Sequence, residues 1–483
     1  MMNKKIYIYL FVICQFLACN PSDENSNTSE TSTSDIWEQA KQIEEAIIVP
    51  NFQDKDFNIL DYSAVEGENR KNTVAFAEAI RACHEAGGGR VLVPKGIFYT
   101  GPIHLLDNVN LHLEEGAEIR FSTDPKDYLP IVHTSFEGNE LMNYSPLVYA
   151  FGKKNIAVTG KGTLNGQASN ENWWWWCGKD TYGWQEGMPN QKDASTRVKL
   201  MDMVKKQVPV AERIFGEEAY FRPSFIEFFE CQHILIEGVK IVNAPFWIVH
   251  PIKSQHVTVD GITVKSHGPN NDGCDPEYCK NVVIKNCYFN TGDDCIAIKS
   301  GRNEDGRRVG IVSENIVVRD CEMIDGHGGV VMGSEISAGV RNVFVENCKM
   351  DSPNLDRAIR IKTNSKRGGF AENIYVRNIE VGQVKEAVLR VNLFYATYAN
   401  QQGDFIPTVR NITLENFKVK NGGQYGILAK GYESSPIENI TFKNVVIEKV
   451  EEPFSLEYVK NLRLIDTYIN SSMVENSVVD EAE

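Results

Sequence analysis

The chain has 483 residues, enough for a large core or more than one domain, and its 42% apolar and 24% charged content is ordinary for a globular protein. The net charge of -15 argues against a general nucleic-acid binder, which carries a basic footprint. The eleven cysteines include no Cys-x-x-Cys pair, which argues against a zinc centre. Cys274 and Cys279 are near enough for a loop disulfide, but pairing cannot be read from spacing.

At the N-terminus, Lys4 and Lys5 precede an apolar run over residues 6–17 that is too short to span a bilayer. Basic start, short apolar centre and small residue before a break make a signal-peptide layout. Phe16-Leu17-Ala18-Cys19 resembles a bacterial lipoprotein signal, in which Cys19 would become the lipidated first residue. Plain secretion with Cys19 incidental is the alternative. The Ser-, Thr- and Asn-rich composition that follows predicts a flexible polar tether over residues 20–52. The expectation is an exported protein, an outer-membrane lipoprotein at the surface or facing the periplasm. Membrane contact would be through the lipid alone. A catalytic body is expected over 53–475 and an acidic tail over 476–483.

Residues 72–86 have helical spacing, with Val74, Phe76, Ile80 and Cys83 as the buried stripe. Gly87-Gly88-Gly89 stops that helix, and a short strand follows at 90–94. The glycines lack the Lys-Ser/Thr of a phosphate-binding loop. Further on a phrase recurs: Asn, apolar, any, apolar, any, Asn/Asp/Gly, apolar, any, apolar. It occupies 281–289, 315–323, 342–350, 373–381, 411–419, 439–447 and 461–469, with degenerate copies from His233 and His256. Starts lie 22 to 38 residues apart. Each copy is two short alternating strands with a bend, and only stacking can bury its apolar face. The fold class expected is all-β: a right-handed parallel β-helix with a short N-terminal helix cap. Cys287, Cys321 and Cys348 share a repeat position with Ile379, Phe417 and Val445, so they read as an interior ladder. Asn286, Asn347, Asn378, Asn416 and Asn444 recur at the bend, where asparagine tolerates left-handed backbone. The repeat disappears over about 166–222, an insert holding Trp173 to Trp176, Trp184 and a helix-like stretch at 199–215. These tryptophans either stack on sugar rings or close the side of the helix.

Repeat register brings charged residues together. Asp293 lies 12 residues after Asn281, and His327 lies 12 after Asn315. Equal offsets on successive coils stack them about 4.8 Å apart. Asp272 follows His256 by 16 residues and joins the same column through a longer loop. Arg360 and Lys362 follow Asn342 by 18 and 20. One face then holds Asp272, Asp293, Asp294, an imidazole, a guanidinium and an ammonium. Crowded carboxylates raise at least one pKa, which splits them into a proton donor and an ionised base. Glycoside hydrolysis needs that split. Lys299, Arg302, Arg307 and Arg308 add positive charge that an acidic chain otherwise lacks.

Asn271-Asp272, Gly292-Asp293-Asp294, Gly326-His327-Gly328 and Arg360-Ile361-Lys362 resemble, in order, the four signature motifs of the polygalacturonases, glycoside hydrolase family 28. The likeness runs from about Phe57 to Ile469. It implies a right-handed β-helix and inverting hydrolysis of α-galacturonosyl bonds in pectic polysaccharide or oligogalacturonides, with no cofactor and no metal. Asp293 would be the general acid, Asp272 with Asp294 would activate water, and His327 would support the acid. Arg360 and Lys362 would hold the substrate carboxylate, with Lys299 and Arg302 as further substrate-binding cations. Asn271 stands where many members have Thr, and Ser63 where Gly is common. Exo action is expected because the Trp-rich insert can block one end of the cleft. Endo action, a rhamnogalacturonan substrate, a calcium-dependent lyase and a non-catalytic β-helix are the alternatives. A monomer is expected.

Overall fold

Asparagine sets the path of each coil. The computed structural model describes residues 33–68, 70–217, 219–396, 403–474 and 479–481. The repeat-start residues Asn281, Asn315, Asn342, Asn373, Asn411, Asn439 and Asn461 all have left-handed backbone, with φ from 55 to 60°. The bend residues Asn286, Asn347, Asn378, Asn416 and Asn444 do the same, at 52 to 57°. Left-handed backbone was expected at the bend; at the repeat start it is an addition. Asn315 Nδ2 donates to Asn281 Oδ1 at 3.1 Å. The same bond repeats through Asn342, Asn373, Asn411, Asn439 and Asn461 at 2.6–3.2 Å. Each amide between the two ends both donates and accepts, so one ladder pins seven coils in register.

The coils are parallel throughout the body. Strand Lys280–Lys285 pairs with Ser313–Arg319, and Tyr288–Thr291 with Glu322–Met323. On another side of each coil, Ile296–Ile298 pairs with Val330–Gly333, and that strand pairs with Arg357–Lys362. The chain is a right-handed parallel β-helix, as expected. Val282, Ile284, Phe289, Ile296 and Ile298 of one coil all point inward and are fully buried. Cys287, Cys321 and Cys348 lie in the same interior as expected. All nine described cysteines are free and buried, so the disulfide between Cys274 and Cys279 is not formed.

Helix Thr73–Glu85 caps the N-terminal end with Phe76, Ala79, Ile80 and Cys83 buried. Val74 does not belong to that stripe; it is 69% exposed, one position off the buried face. The insert interrupts a single coil, since Thr163–Asn165 and Lys240–Val242 on either side of it are paired neighbours. Its helix is only Lys199–Lys205, shorter than expected. Leu200, Val204, Phe215 and Phe221 dock it on Phe136, Phe246 and Trp247. The tryptophan run serves packing: Trp173 and Trp176 are buried in the main core, and Trp173 meets Tyr128 edge-on at 5.5 Å.

The predicted tether is corrected. Helix Thr33–Glu45 docks on the outer face of the sheet, where Trp37, Ala40, Ile43 and Ile47 cover Val283, Val317 and Phe344. Glu44 pairs with Lys285 and Arg319, and the Arg377 guanidinium lies 3.9 Å from the Trp37 ring centre. The physical reason is the 3-3-4 spacing of those four apolar residues, which the polar composition just upstream obscures. The predicted signal peptide, Cys19 and residues 20–32 of the tether lie outside the described residues. Of the acidic tail, Val479–Glu481 pairs antiparallel with Val459–Ile469, while 476–478 and 482–483 lie outside the described residues.

Trp37→Ala is expected to cost about 3 kcal/mol, the scale for truncating a buried tryptophan, and to leave turnover intact. Thermal unfolding compared with the wild type checks this; an unchanged midpoint would mean that the helix does not dock.

Candidate active site

The turns ahead of Ile296–Ile298 and Val330–Gly333 carry Asp293, Asp294 and His327. The His327 N–H donates to Asp293 O at 3.1 Å, so the equal-offset stacking holds. Gly326 permits this approach: a Cβ there would lie 2.7 Å from Asp293 O. Gly292 is equally confined, with a would-be Cβ 2.5 Å from Gly268 O. Asp272 belongs to a different column from the one expected. The Gly273 N–H donates to Asp294 O at 3.0 Å and Cys274 bridges to Ile296, which sets Asp272 beside Asp294. Asn271 is a brace for this turn. Its Oδ1 accepts from Ser266 Oγ and Gly268 N, and its Nδ2 donates to Ala244 O and Phe246 O.

Asp272, Asp293 and Asp294 each offer an oxygen within 4.8 Å of the others. Each also has its own cation. His327 Nδ1 lies 2.9 Å from Asp293 Oδ1. Lys362 Nζ and Arg360 Nη1 donate to the two oxygens of Asp294 at 2.6 and 3.2 Å. Lys299 Nζ lies 3.3 Å from Asp272, 3.4 Å from Asp275 and 3.7 Å from Glu335. It also lies 4.3 Å from the Trp247 ring centre.

These pairings separate the acids. Burial, then the charges of Asp293 and Asp275, push the Asp272 carboxyl well above its ordinary value. Burial alone would raise Asp293 too, but the charge and hydrogen bond of His327 outweigh it and hold that carboxyl below its ordinary range. The same pair raises the His327 imidazole above its ordinary value. Burial disfavours the Lys299 ammonium, yet Asp272, Asp275 and Glu335 outweigh it and hold it strongly protonated. Asp275, behind the site, is raised by burial to about 7. The cluster thus joins an acid that holds its proton more tightly than usual, an imidazole paired with an acid that holds its proton less tightly, and a third acid clamped by two cations.

A pocket of about 160 Å³ opens on this cluster. Asp272, Asp293, Lys299, Arg302 and Lys362 line it, as the sequence suggested. Glu137, Arg197, Trp247, Glu335, Arg367 and Tyr395 line it too, and sequence reasoning missed them. They come from a hairpin tip, the insert and loops whose offsets follow no repeat, so no periodic signal marks them. Three of the expected substrate-binding cations also pair with the acids. Arg360 and Lys362 are engaged with Asp294, and Lys299 is a buried counter-ion inside the acid network. Arg307 and Arg308 do not line the pocket; Arg307 donates to Lys366 O and Arg367 O, and Arg308 binds Asp305. A larger groove of about 750 Å³ lies on the outer sheet face beside Arg90, His112 and Lys161, and none of the three acids lines it.

Residues 216–465 match the family model for glycosyl hydrolases family 28. A solved exopolygalacturonase from Thermotoga maritima is 43% identical, superposes with a TM-score of 0.87, and is covered over 98% of its chain by 92% of this one. A probable polygalacturonase of Vitis vinifera is 28% identical over 405 residues, 81% of this chain and 74% of the relative. The exo-poly-alpha-D-galacturonosidase of Dickeya chrysanthemi is 28% identical over 426 residues, 86% of this chain and 66% of the relative. A triad of acids on a parallel β-helix, a match over half the chain and 43% identity to a solved member lead to one assignment: this chain is a glycoside hydrolase of family 28.

Proposed function

We propose that the protein hydrolyses α-1,4-galacturonosyl linkages of pectin and acts from chain ends. The observation that carries the reading is the acid cluster with a separate cation for each member, set in a pocket with more cationic side chains. The similarity to an exopolygalacturonase over nearly its whole length supports the exo mode.

Asp293 is the general acid in this reading. Its side chain is 17% exposed, against 4% for Asp272 and none for Asp294, so it is best placed to reach a leaving oxygen. With the Asp293 carboxyl lowered and the His327 imidazole raised, the proton of the pair favours the imidazole side before substrate enters. An entering uronate brings negative charge and expels water, and both raise the Asp293 carboxyl so that it can take that proton and pass it on. Asp294, paired with Arg360 and Lys362, accepts the proton of the water held between it and Asp272 as the water oxygen attacks the anomeric carbon and the bond to the leaving oxygen, protonated by Asp293, breaks.

Asp293→Asn is expected to lower turnover on polygalacturonate by at least about a thousandfold while circular dichroism stays unchanged, since general acid catalysis of a poor leaving group is lost. Retained turnover would remove Asp293 from the acid role. On the wild type, early release of monomer without mixed oligomers supports exo action. Faster cleavage of rhamnogalacturonan than of homogalacturonan would redirect the substrate. Loss of activity with EDTA and a rise in ultraviolet absorbance would favour a lyase.

The alkaline limb of kcat/KM follows from the Asp293–His327 pair. Its proton is present below the raised His327 value and lost as pH rises through it. His327→Asn leaves the carboxyl to hold the proton alone, so the limb should move to lower pH. A limb that stays in place would assign it to another group.

The stereochemistry is a separate test. Inversion rests on the family motifs, whereas an acid spacing within 4.8 Å is closer to the ~5–5.5 Å of a retaining pair than to the ~6.5–9.5 Å of an inverting one. Asp272 and Asp294 acting together on one water is the arrangement that favours inversion. Proton NMR should show the β-anomer first; the α-anomer first would mean that a carboxylate attacks the sugar.

A further inference from the structure

Recognition of an acidic sugar needs cations that face the pocket with donors to spare; of the two expected for that task, Arg360 does not line the pocket, and Lys362 lines it but holds Asp294. Arg360 and Lys362 both hold Asp294, and Lys299 is shared among Asp272, Asp275 and Glu335. Another part of the pocket lining is different. There Arg197 and Arg302 converge on one oxygen, Glu137 Oε2. Each guanidinium presents five N–H donors in a fork matched to a carboxylate, so one shared oxygen leaves most of them unspent. Among the described residues, Arg302 Nε and Arg367 Nε are buried without a hydrogen-bond partner; Arg360 Nε is too, but Arg360 does not line this pocket. Orphaned buried donors are costly and mark a place where a ligand fits.

The three residues come from three separate parts of the chain. Glu137 sits at the tip of the hairpin formed by Val132–Phe136 and Asn139–Asn143. The Arg302 N–H donates to Gly138 O at 3.0 Å, which ties that tip to the coil bearing Asp293 and Asp294. Arg197 lies in the insert, docked through the apolar contacts of Leu200 and Val204. Glu137 carries one negative charge against two positive ones, so this wall is net cationic in a chain of net charge -15. Its fixed geometry suits a planar carboxylate better than a diffuse field would.

We propose that Arg197 and Arg302, yoked by Glu137, form a second carboxylate subsite that receives the terminal uronate of the chain, so that the insert recognises the substrate end. This rests on the galacturonan-hydrolase reading above and makes Arg197 a specificity-determining residue. The charge of the released unit, and not only its shape, then selects the cut.

The test compares trigalacturonate with the same trisaccharide methyl-esterified only at the terminal unit to be released. The wild type should cleave the ester with kcat/KM at least about tenfold lower, the scale of a lost charge-assisted pair. Arg197→Met should raise KM for trigalacturonate by a similar factor with kcat within about threefold, and should no longer discriminate between the two substrates. Arg197→Lys should recover part of the discrimination. Equal cleavage of both trisaccharides by the wild type, or full discrimination by Arg197→Met, overturns the subsite. Should Arg197→Met fail to fold by circular dichroism, the wild-type comparison decides alone, with the ester on the retained terminal unit as the control. A wild type that cleaves neither trisaccharide nor polygalacturonate would overturn the hydrolase reading, and the subsite with it.

Discussion

The left-handed asparagine at each repeat start is the constraint on which the rest depends. It turns the chain from one strand direction to the next at a cost that asparagine bears better than most residues. Its amide also closes a ladder from Asn281 to Asn461. A parallel stack without such a device could slip by one residue, and a slip would move every inward side chain to the outside. Here a slip would also part His327 from Asp293, whose contact spans 34 residues of sequence but one rung of the stack.

Once register is held, the fold can bury charge. The site and the ground behind it contain carboxylates, lysine, arginine and an imidazole at nearly zero exposure. Such a cluster survives because each charged group has an oppositely charged partner within 4 Å, not because the interior favours ions. The same economy extends one coil back, where fully buried His250 lies 2.9 Å from Glu277 and 3.5 Å from Glu227. Burial disfavours its charge, yet those two carboxylates raise the imidazole to about 9. Trp247 links the two groups: it packs edge-on against His250 and lies under Lys299. The acids therefore rest on a rigid, paired foundation, which preorganises them before any sugar arrives.

Much of this was legible in the sequence because repetition is legible. The phrase that starts at Asn281 and ends at Ile469 announced the β-helix, the cysteine interior and the bend asparagines. The shared offset of Asp293 and His327 announced their contact. Where periodicity stops, so did the reading. Trp37, Ala40, Ile43 and Ile47 had a helical stripe, but a polar stretch next to it suggested a tether. The tryptophan run could have been a sugar platform, and burial of Trp173 and Trp176 made it core. Motif likeness points Lys362 at the substrate and charge points Lys299 there; distance adds that both also pair with aspartates.

The sequence by itself determined the fold, the three acids and their imidazole, and the family to which they belong, since strand alternation and coil spacing are one-dimensional properties. Only the tertiary structure decided which cation serves which acid, why Asp272 stands beside Asp294, and which residues close the pocket. The physical reason is that these depend on contacts between distant segments. Glu137, Arg197 and Arg302 are brought to one oxygen by a hairpin, an insert and a coil turn, and no period in the chain relates them.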